Sequence, residues 1–135
     1  MKTSSKGIEL IKRHEGLSLT AYLCPAGVWT IGYGHTGGVK SGDVITKAQA
    51  EEFLRADLND AERTVNQQRL SINQNQFDAL VSFVFNLGSG NFQNSTLLKV
   101  IKANPMDMRI KMELSRWVYS RGKVQQNQKS SYLLF

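Results

Sequence analysis

The sequence predicts an α+β fold, in which a small β-hairpin lobe follows the first helix of a mainly helical domain. Apolar residues recur at helical spacing in several segments, and this period is typical of amphipathic helices. Between residues 17 and 45 the pattern changes to short apolar–polar alternation, and this segment holds six of the eleven glycines. A chain of 135 residues is expected to form one domain, residues 1–135, with a core that needs no disulfide bond.

The predicted elements have recognisable starts and stops. Ser4 or Ser5 suits the cap of the first helix, and Thr46 with Gln49 forms a capping box at the start of a long second helix. The third helix carries the widest apolar face, which predicts that it is the most buried. Asn104, which precedes a proline, predicts the cap of the last helix. The predicted helices cover residues 4–14, 46–66, 74–87, 95–101 and 104–117, and the hairpin has its turn at residues 25–27.

The net charge of +6 is concentrated at one end of the chain. The basic and acidic residues of positions 1–98 cancel, so the whole excess belongs to residues 99–135. Such a surface attracts anionic polymers such as nucleic acid, acidic lipid headgroups or the bacterial wall, and a solvated basic face that aids solubility is the alternative. The sequence contains no helix-turn-helix, RNP or zinc pattern, so we expect no nucleic-acid partner.

Neither a membrane span nor an export signal is visible in the sequence. The apolar runs are far shorter than the roughly 18–20 residues that cross a bilayer, so we expect no stable membrane insertion. Charged residues interrupt the N-terminal apolar stretches, which argues against a signal peptide, and we expect a soluble product in the cytoplasm of the producing cell. The single cysteine, Cys24, excludes an intramolecular disulfide bond, and without a Cys/His cluster we expect no metal and no cofactor.

Three residues form a candidate catalytic set. Glu15 lies where the first helix meets the hairpin lobe, and a carboxyl group in such a junction loses water, which raises its pKa and suits it to general acid catalysis. A solvated charge at the helix end is the alternative. Cys24 at the turn and Thr30 in the next strand complete the pattern Glu-x8-Cys-x5-Thr, although Cys24 could also be a small buried apolar residue. A thiol protease is not expected, because neither His14 nor His35 lies in a cysteine-protease motif.

This pattern resembles the phage-type lysozymes, the endolysins of glycoside hydrolase family 24, whose catalytic signature is Glu-x8-Asp-or-Cys-x5-Thr. Further blocks resemble the family in the same order, so the resemblance covers roughly residues 5–123. The resembling segments are residues 23–36 (LCPAGVWTIGYGHT), 83–88 (FVFNLG), 90–98 (GNFQNSTLL) and 116–119 (RWVY). The resemblance implies a lysozyme-like domain with an active-site cleft between the hairpin lobe and the helices.

Members of this family hydrolyse the β-1,4 bond between N-acetylmuramic acid and N-acetylglucosamine in bacterial peptidoglycan, and so lyse the host cell. Glycoside hydrolysis needs a proton donor and a second group that assists water or stabilises the oxocarbenium-like centre. The resemblance implies that Glu15 is the proton donor, that Cys24 stands where many members have aspartate, and that the hydroxyl of Thr30 helps to hold the attacking water. A base or electrostatic role for Cys24 is favoured, and a nucleophilic role stays open.

The resemblance extends to substrate contacts and partners. Phe92 and Gln93 match positions that line the sugar cleft of the family, although an isolated phenylalanine is ordinarily part of a core. His35 is expected to be structural and to pair with a neighbouring group where the lobes meet. The implied partner is bacterial peptidoglycan, reached by a monomer that leaves the host cytoplasm through a holin-like pore.

The end of the chain departs from the family pattern. Residues 124–135 lack the terminal motif that the family carries, so we expect an atypical tail, and whether it docks on the domain stays open. The alternative function is a catalytically weakened remnant of the same fold that binds peptidoglycan without cleaving it.

Overall fold

The structure, a computed structural model, describes residues 1–119, with side chains as far as Leu114. The elements are α1 (Ser5–Glu15), β1 (Ser18–Leu23), β2 (Trp29–Gly32), α2 (Lys47–Gln67), α3 (Gln74–Leu87), α4 (Ser89–Gln93), α5 (Thr96–Ala103) and α6 (Arg109–Tyr119). The α+β class and the position of the hairpin after the first helix are therefore confirmed. Within this part of the chain, no helix is long and apolar enough to cross a membrane. The predicted tail, residues 124–135, lies outside the described residues.

The hairpin lobe is a single thin layer. β1 and β2 pair in antiparallel fashion with Tyr22 opposite Thr30. The chain then returns along the other side of β1, where the amide of Ala21 donates to the carbonyl oxygen of Asp43 at 2.9 Å. The apolar–polar alternation of β1 predicts one buried face, but Leu19 is exposed, because residues 1–119 form only this two-stranded sheet and no second sheet among them covers it.

The core is centred on α3, as its wide apolar face predicts. Ten of its fourteen residues are buried. α2 packs against it through inward residues at helical spacing, which are Ala50, Leu54, Leu58, Ala61 and Val65. Each large apolar side chain buried in this way contributes about 1.5–3 kcal/mol. The helices therefore carry most of the apolar burial, and the hairpin lobe depends on them for its position.

One predicted helix start is wrong. The sequence predicts that the last helix begins at Asn104, but the Asn104 side chain accepts a hydrogen bond from the amide of Met106 at 3.0 Å and closes a turn instead. Asp107 then accepts a hydrogen bond from the amide of Arg109 at 2.8 Å, and α6 begins at Arg109. By contrast, the capping box predicted at the start of α2 is present in full. The five-residue helix α4 was not anticipated by the periodicity.

The first residues of the chain fasten α1 to α2 and α3. The amide and hydroxyl of Thr3 both donate to Glu62 Oε2, at 2.5 and 2.6 Å. The amide of Ser4 donates to Asp78 Oδ1 at 3.0 Å, and its hydroxyl donates to the other oxygen of the same carboxylate. Ser4 Oγ also accepts from the amide of Gly7 at 3.1 Å and so caps α1. Because Asp78 is buried in α3, these bonds fix where α1 starts and the direction in which it runs.

Candidate active site

Glu15, the last residue of α1, is covered by the hairpin lobe. Gly16 follows it with φ 68° and ends the helix, so the chain turns back into β1. The Glu15 carboxyl group lies directly against the backbone of Gly34, so closely that a Cβ atom at Gly34 would overlap Glu15 Oε2. Gly34 also has φ +76°, which glycine adopts at least cost. Two independent constraints, the close approach and the left-handed backbone, therefore favour glycine at this position.

The hairpin lobe shields the Glu15 carboxyl group from water, and this burial changes its pKa. Burial raises the pKa of its carboxyl group above the ordinary glutamate value, because desolvation disfavours the charged form. The neighbouring His14 is half-buried, and burial lowers the pKa of its imidazole. The raised pKa of Glu15 thus comes from lost water, and it extends upward the pH range in which this group holds a proton.

Cys24 lies in the turn that directly follows β1 and is surrounded by hydrogen-bond donors. The turn is closed by the Cys24 amide, which donates to the Val28 carbonyl oxygen at 3.0 Å, and by the Gly27 amide, which donates to the Cys24 carbonyl oxygen at 2.8 Å. The backbone N–H groups of Val28 and Ala26, with a further contribution from the Thr30 hydroxyl, lower the pKa of the Cys24 thiol. These groups stabilise the thiolate, so the site favours a negative charge at the sulfur.

Thr30 lies on β2, directly opposite Tyr22 of β1. It is 5% exposed, and its Oγ1 lies 3.0 Å from the Val28 carbonyl oxygen, to which it donates. The same hydroxyl also interacts with the Cys24 thiol. A hydroxyl has one proton to donate, so it can turn from the carbonyl oxygen to the sulfur when the thiol ionises. The structure thus brings the Cys24 thiol and the Thr30 hydroxyl together, and their roles in a reaction stay predictions.

Tyr22 lies near Glu15 and Cys24, although the pattern Glu-x8-Cys-x5-Thr does not include it. Burial raises the pKa of the Tyr22 phenol, and the negative charges of Glu15 and Cys24 raise it further. Tyr22 is therefore close enough to both groups to experience their charge. Its position two residues before Cys24, near the end of the predicted strand, is the sequence signal that could have revealed it.

His35 holds the lobe against α2. Its Nδ1 lies 2.9 Å from Asp57 Oδ2, its Nε2 lies 3.0 Å from the Gly37 carbonyl oxygen, and its ring stacks on Phe53 at 4.3 Å between centroids. Both ring nitrogens and one ring face are thus engaged with the protein. The arrangement agrees with the structural role expected for His35.

A cavity of about 230 Å³ lies between the lobe and the helices. Gly34 and Thr36 line it from the lobe, Asp57 and Asp60 from α2, and Phe85 from α3. Gly34, which contacts the Glu15 carboxyl group, borders this cavity, whereas Glu15, Cys24 and Thr30 do not line it. Within residues 1–119, no cluster of three or more His, Cys, Asp or Glu side chains could hold a metal ion.

Phe92 does not lie in the cleft. Its side chain is completely buried in the core, with its ring in edge contact with Phe83 at 5.9 Å between centroids. A ring without exposed surface cannot touch a sugar, so the prediction for Phe92 is corrected, and Phe85 is the aromatic residue that lines the cavity. Gln93 is exposed, and its contact with substrate stays a prediction.

Comparison with known proteins agrees with this geometry. The family described as phage lysozyme matches residues 12–130, and the chain therefore belongs to the phage lysozyme family. It is similar to the endolysin of Acyrthosiphon pisum secondary endosymbiont phage 1, with 54% identity over 100 residues, which are 73% of this chain and 68% of that protein. The endolysin of Bacillus phage PZA is 45% identical over 130 residues, which are 93% of this chain and about half of that protein.

The fold is also similar to a solved structure. The muramidase domain of SpmX from Asticaccaulis excentricus superposes with a TM-score of 0.87 at 35% identity, covering 99% of this chain and 97% of that one. The family match extends to residue 130, into the segment that the sequence identifies as atypical. A small hairpin lobe docked on a helical domain is thus the architecture that this chain has in common with a muramidase.

The contact between Gly34 and Glu15 can be tested through stability. Gly34→Ala should lose about 1–3 kcal/mol from overlap, added to the roughly 1–2 kcal/mol that a left-handed backbone costs a residue with a Cβ atom. Gly38→Ala is the matched control, because Gly38 has φ +70° and no atom within 4 Å of the added methyl group. Chemical denaturation gives the free energies of unfolding.

A double-mutant cycle then isolates the overlap. In a Glu15→Ala background the carboxyl group is gone, so the cost of Gly34→Ala should fall to that of Gly38→Ala. The same cost for Gly34→Ala in both backgrounds would contradict the contact.

Proposed function

We propose that the chain is a lysozyme that hydrolyses the β-1,4 bond between N-acetylmuramic acid and N-acetylglucosamine in bacterial peptidoglycan, and that this reaction lyses the host cell. The observation that carries the proposal is that the pKa values of two groups of the site are shifted in opposite directions from their ordinary values. Burial raises the pKa of Glu15, and backbone N–H donors lower the pKa of Cys24. The first shift extends upward the pH range in which Glu15 holds a proton, and the second extends downward the range in which Cys24 is a thiolate, and these are the forms that an acid and its partner need.

Each side chain has a defined part in the proposed reaction. Glu15 donates its proton to the glycosidic oxygen as the bond to the leaving sugar breaks. Cys24, on the same side of the hairpin as Thr30, acts as a base toward water or stabilises the positive charge that develops on the sugar ring. The Thr30 hydroxyl, already in contact with Cys24, orients the water molecule. Gln93, which is exposed at the end of α4, contacts a sugar of the glycan chain.

We also propose how the protein reaches the bacterial cell wall. The protein acts as a monomer, stays in the cytoplasm of the host bacterium until a holin-like pore opens, and then meets peptidoglycan. Its positive charge supports this encounter, because the bacterial wall is anionic and Lys99, Lys102, Arg109 and Lys111 are all exposed.

Analysis of the reaction products tests the proposed function. The full chain should release soluble fragments from purified peptidoglycan, and mass spectrometry should show N-acetylmuramic acid at their new reducing ends. Glu15→Gln keeps the size of the side chain but lacks the transferable proton, so the rate should fall at least ~10²-fold while the fold is retained. Glu9→Gln, at an exposed position of the same helix, is the control and should keep the wild-type rate. A folded Glu15→Gln variant with a near-normal rate, or new ends of N-acetylglucosamine, would overturn the proposal.

Substitutions of Cys24 distinguish a charged role from simple packing. Cys24→Asp places a carboxylate where the backbone N–H groups already favour negative charge, so activity should be retained or raised. Cys24→Ser has a similar size but keeps its proton, so activity should fall. Activity on peptidoglycan and melting temperature are measured together. Full activity in the serine variant, combined with a poorly folded aspartate variant, would show that Cys24 only fills space.

A further inference from the structure

We infer that Tyr22 is a further substrate-contacting residue, whose exposed ring and phenol hydroxyl bind the sugar unit that lies beside Glu15 and Cys24. This inference rests on the proposed function, because it assigns a part of the same cleft. It adds a residue outside the Glu-x8-Cys-x5-Thr pattern, and it specifies the chemistry of the contact, which is a hydrogen bond from a neutral phenol to a sugar oxygen.

The strand register places Tyr22 on the catalytic face of the hairpin. Tyr22 on β1 lies directly opposite Thr30 on β2. Directly opposed side chains of an antiparallel pair stand on the same face of the sheet, with Cβ atoms about 4.5–5.5 Å apart. Cys24 lies two residues further along the chain, in the turn, and its thiol interacts with the Thr30 hydroxyl, which places it next to this face. Tyr22, Thr30 and Cys24 therefore lie on one side of the hairpin, with Tyr22 exposed and Thr30 buried.

The charges around Tyr22 define what its hydroxyl can do. Burial is the main cause that raises the pKa of the Tyr22 phenol, and Glu15 at the end of α1 and Cys24 in the turn after β1 raise it further when they are ionised. The phenol therefore keeps its proton and is a hydrogen-bond donor. A sugar ring offers hydroxyl and acetamido oxygens as acceptors for such a donor.

The two tyrosines of this region differ in exposure. Tyr33 is 6% exposed, and its hydroxyl lies 3.4 Å from Glu51 Oε1 within the protein. Tyr22 is 41% exposed, so much more of this residue reaches solvent. An aromatic ring with a free face and a polar tip, placed beside an acid and a thiol, suits the apolar and polar sides of a sugar.

Steady-state kinetics of Tyr22→Phe test this inference. The substrate is a set of soluble oligosaccharides of alternating N-acetylglucosamine and N-acetylmuramic acid. Loss of one neutral hydrogen bond should lower kcat/KM about 5–10-fold, mainly through KM. Tyr22→Ala, which also removes the ring, should lower it at least ~30-fold. Tyr33→Phe removes the same hydroxyl from the core and should stay within about twofold of wild type.

The dependence of kcat/KM on pH separates substrate contact from an indirect effect. If Tyr22 contacts the sugar, Tyr22→Phe lowers the profile without moving its limbs. A limb that moves by a full pH unit, with KM unchanged, would mean that Tyr22 acts only through the acidity of Glu15 or Cys24, and the inference would be wrong. Kinetics of Tyr22→Phe identical to those of Tyr33→Phe would also overturn it.

A binding measurement keeps this test independent of the proposed reaction. Calorimetry with the same oligosaccharides compares Glu15→Gln with the double variant that also carries Tyr22→Phe. Weaker binding by about 5–10-fold in the double variant supports the contact, and equal binding contradicts it. If the wild-type chain does not cleave these oligosaccharides, the proposed function fails, while the binding result still decides the role of Tyr22.

Discussion

The contact between the Glu15 carboxyl group and the backbone of Gly34 is the constraint on which the candidate site depends. At Gly34 the lobe comes so close to the end of α1 that a side chain would take the place of a carboxyl oxygen. This approach removes water from Glu15 and raises the pKa of the group that is proposed to donate the proton. Since the same lobe carries Cys24 and Thr30, its docking on the helices assembles the acid and its partners in one step.

The rest of the fold holds both sides of that contact in place. The lobe is fixed to α2 through His35, whose Nδ1 lies 2.9 Å from Asp57 Oδ2. One turn before Glu15, Lys12 Nζ lies 2.7 Å from Glu51 Oε1, and their hydrogen bond raises the pKa of Lys12 and lowers that of Glu51. The start of α1 is fastened to α2 and α3 by the hydrogen bonds of Thr3 and Ser4. The carboxyl group thus meets the lobe at a set position, because the helix that carries it is held near both ends.

Much of this arrangement could be predicted from the sequence, because helical spacing and capping are local. The helices of the core follow from periodicity, and the raised pKa of Glu15 follows from its place between helix and hairpin. The start of the last helix could not be predicted, since Asn104 and Asp107 are both suited to capping and only the turn decides between them. In the site, the exposure of Phe92 and Tyr22 could not be predicted from the sequence either. One aromatic residue is buried and the other is exposed beside the acid, and burial depends on the tertiary fold.

The central claim is that the docked lobe keeps the Glu15 carboxyl group protonated in a pH range in which an ordinary glutamate is ionised. A ¹³C NMR titration of the glutamate carboxyl groups measures this directly, and the signal that disappears in Glu15→Gln identifies the residue. The account predicts that Glu15 titrates above the ordinary range for glutamate, and that its midpoint falls toward that range in Gly34→Ala, in which the lobe is displaced from the carboxyl group. A midpoint for Glu15 within or below the ordinary range in the wild-type protein would contradict it.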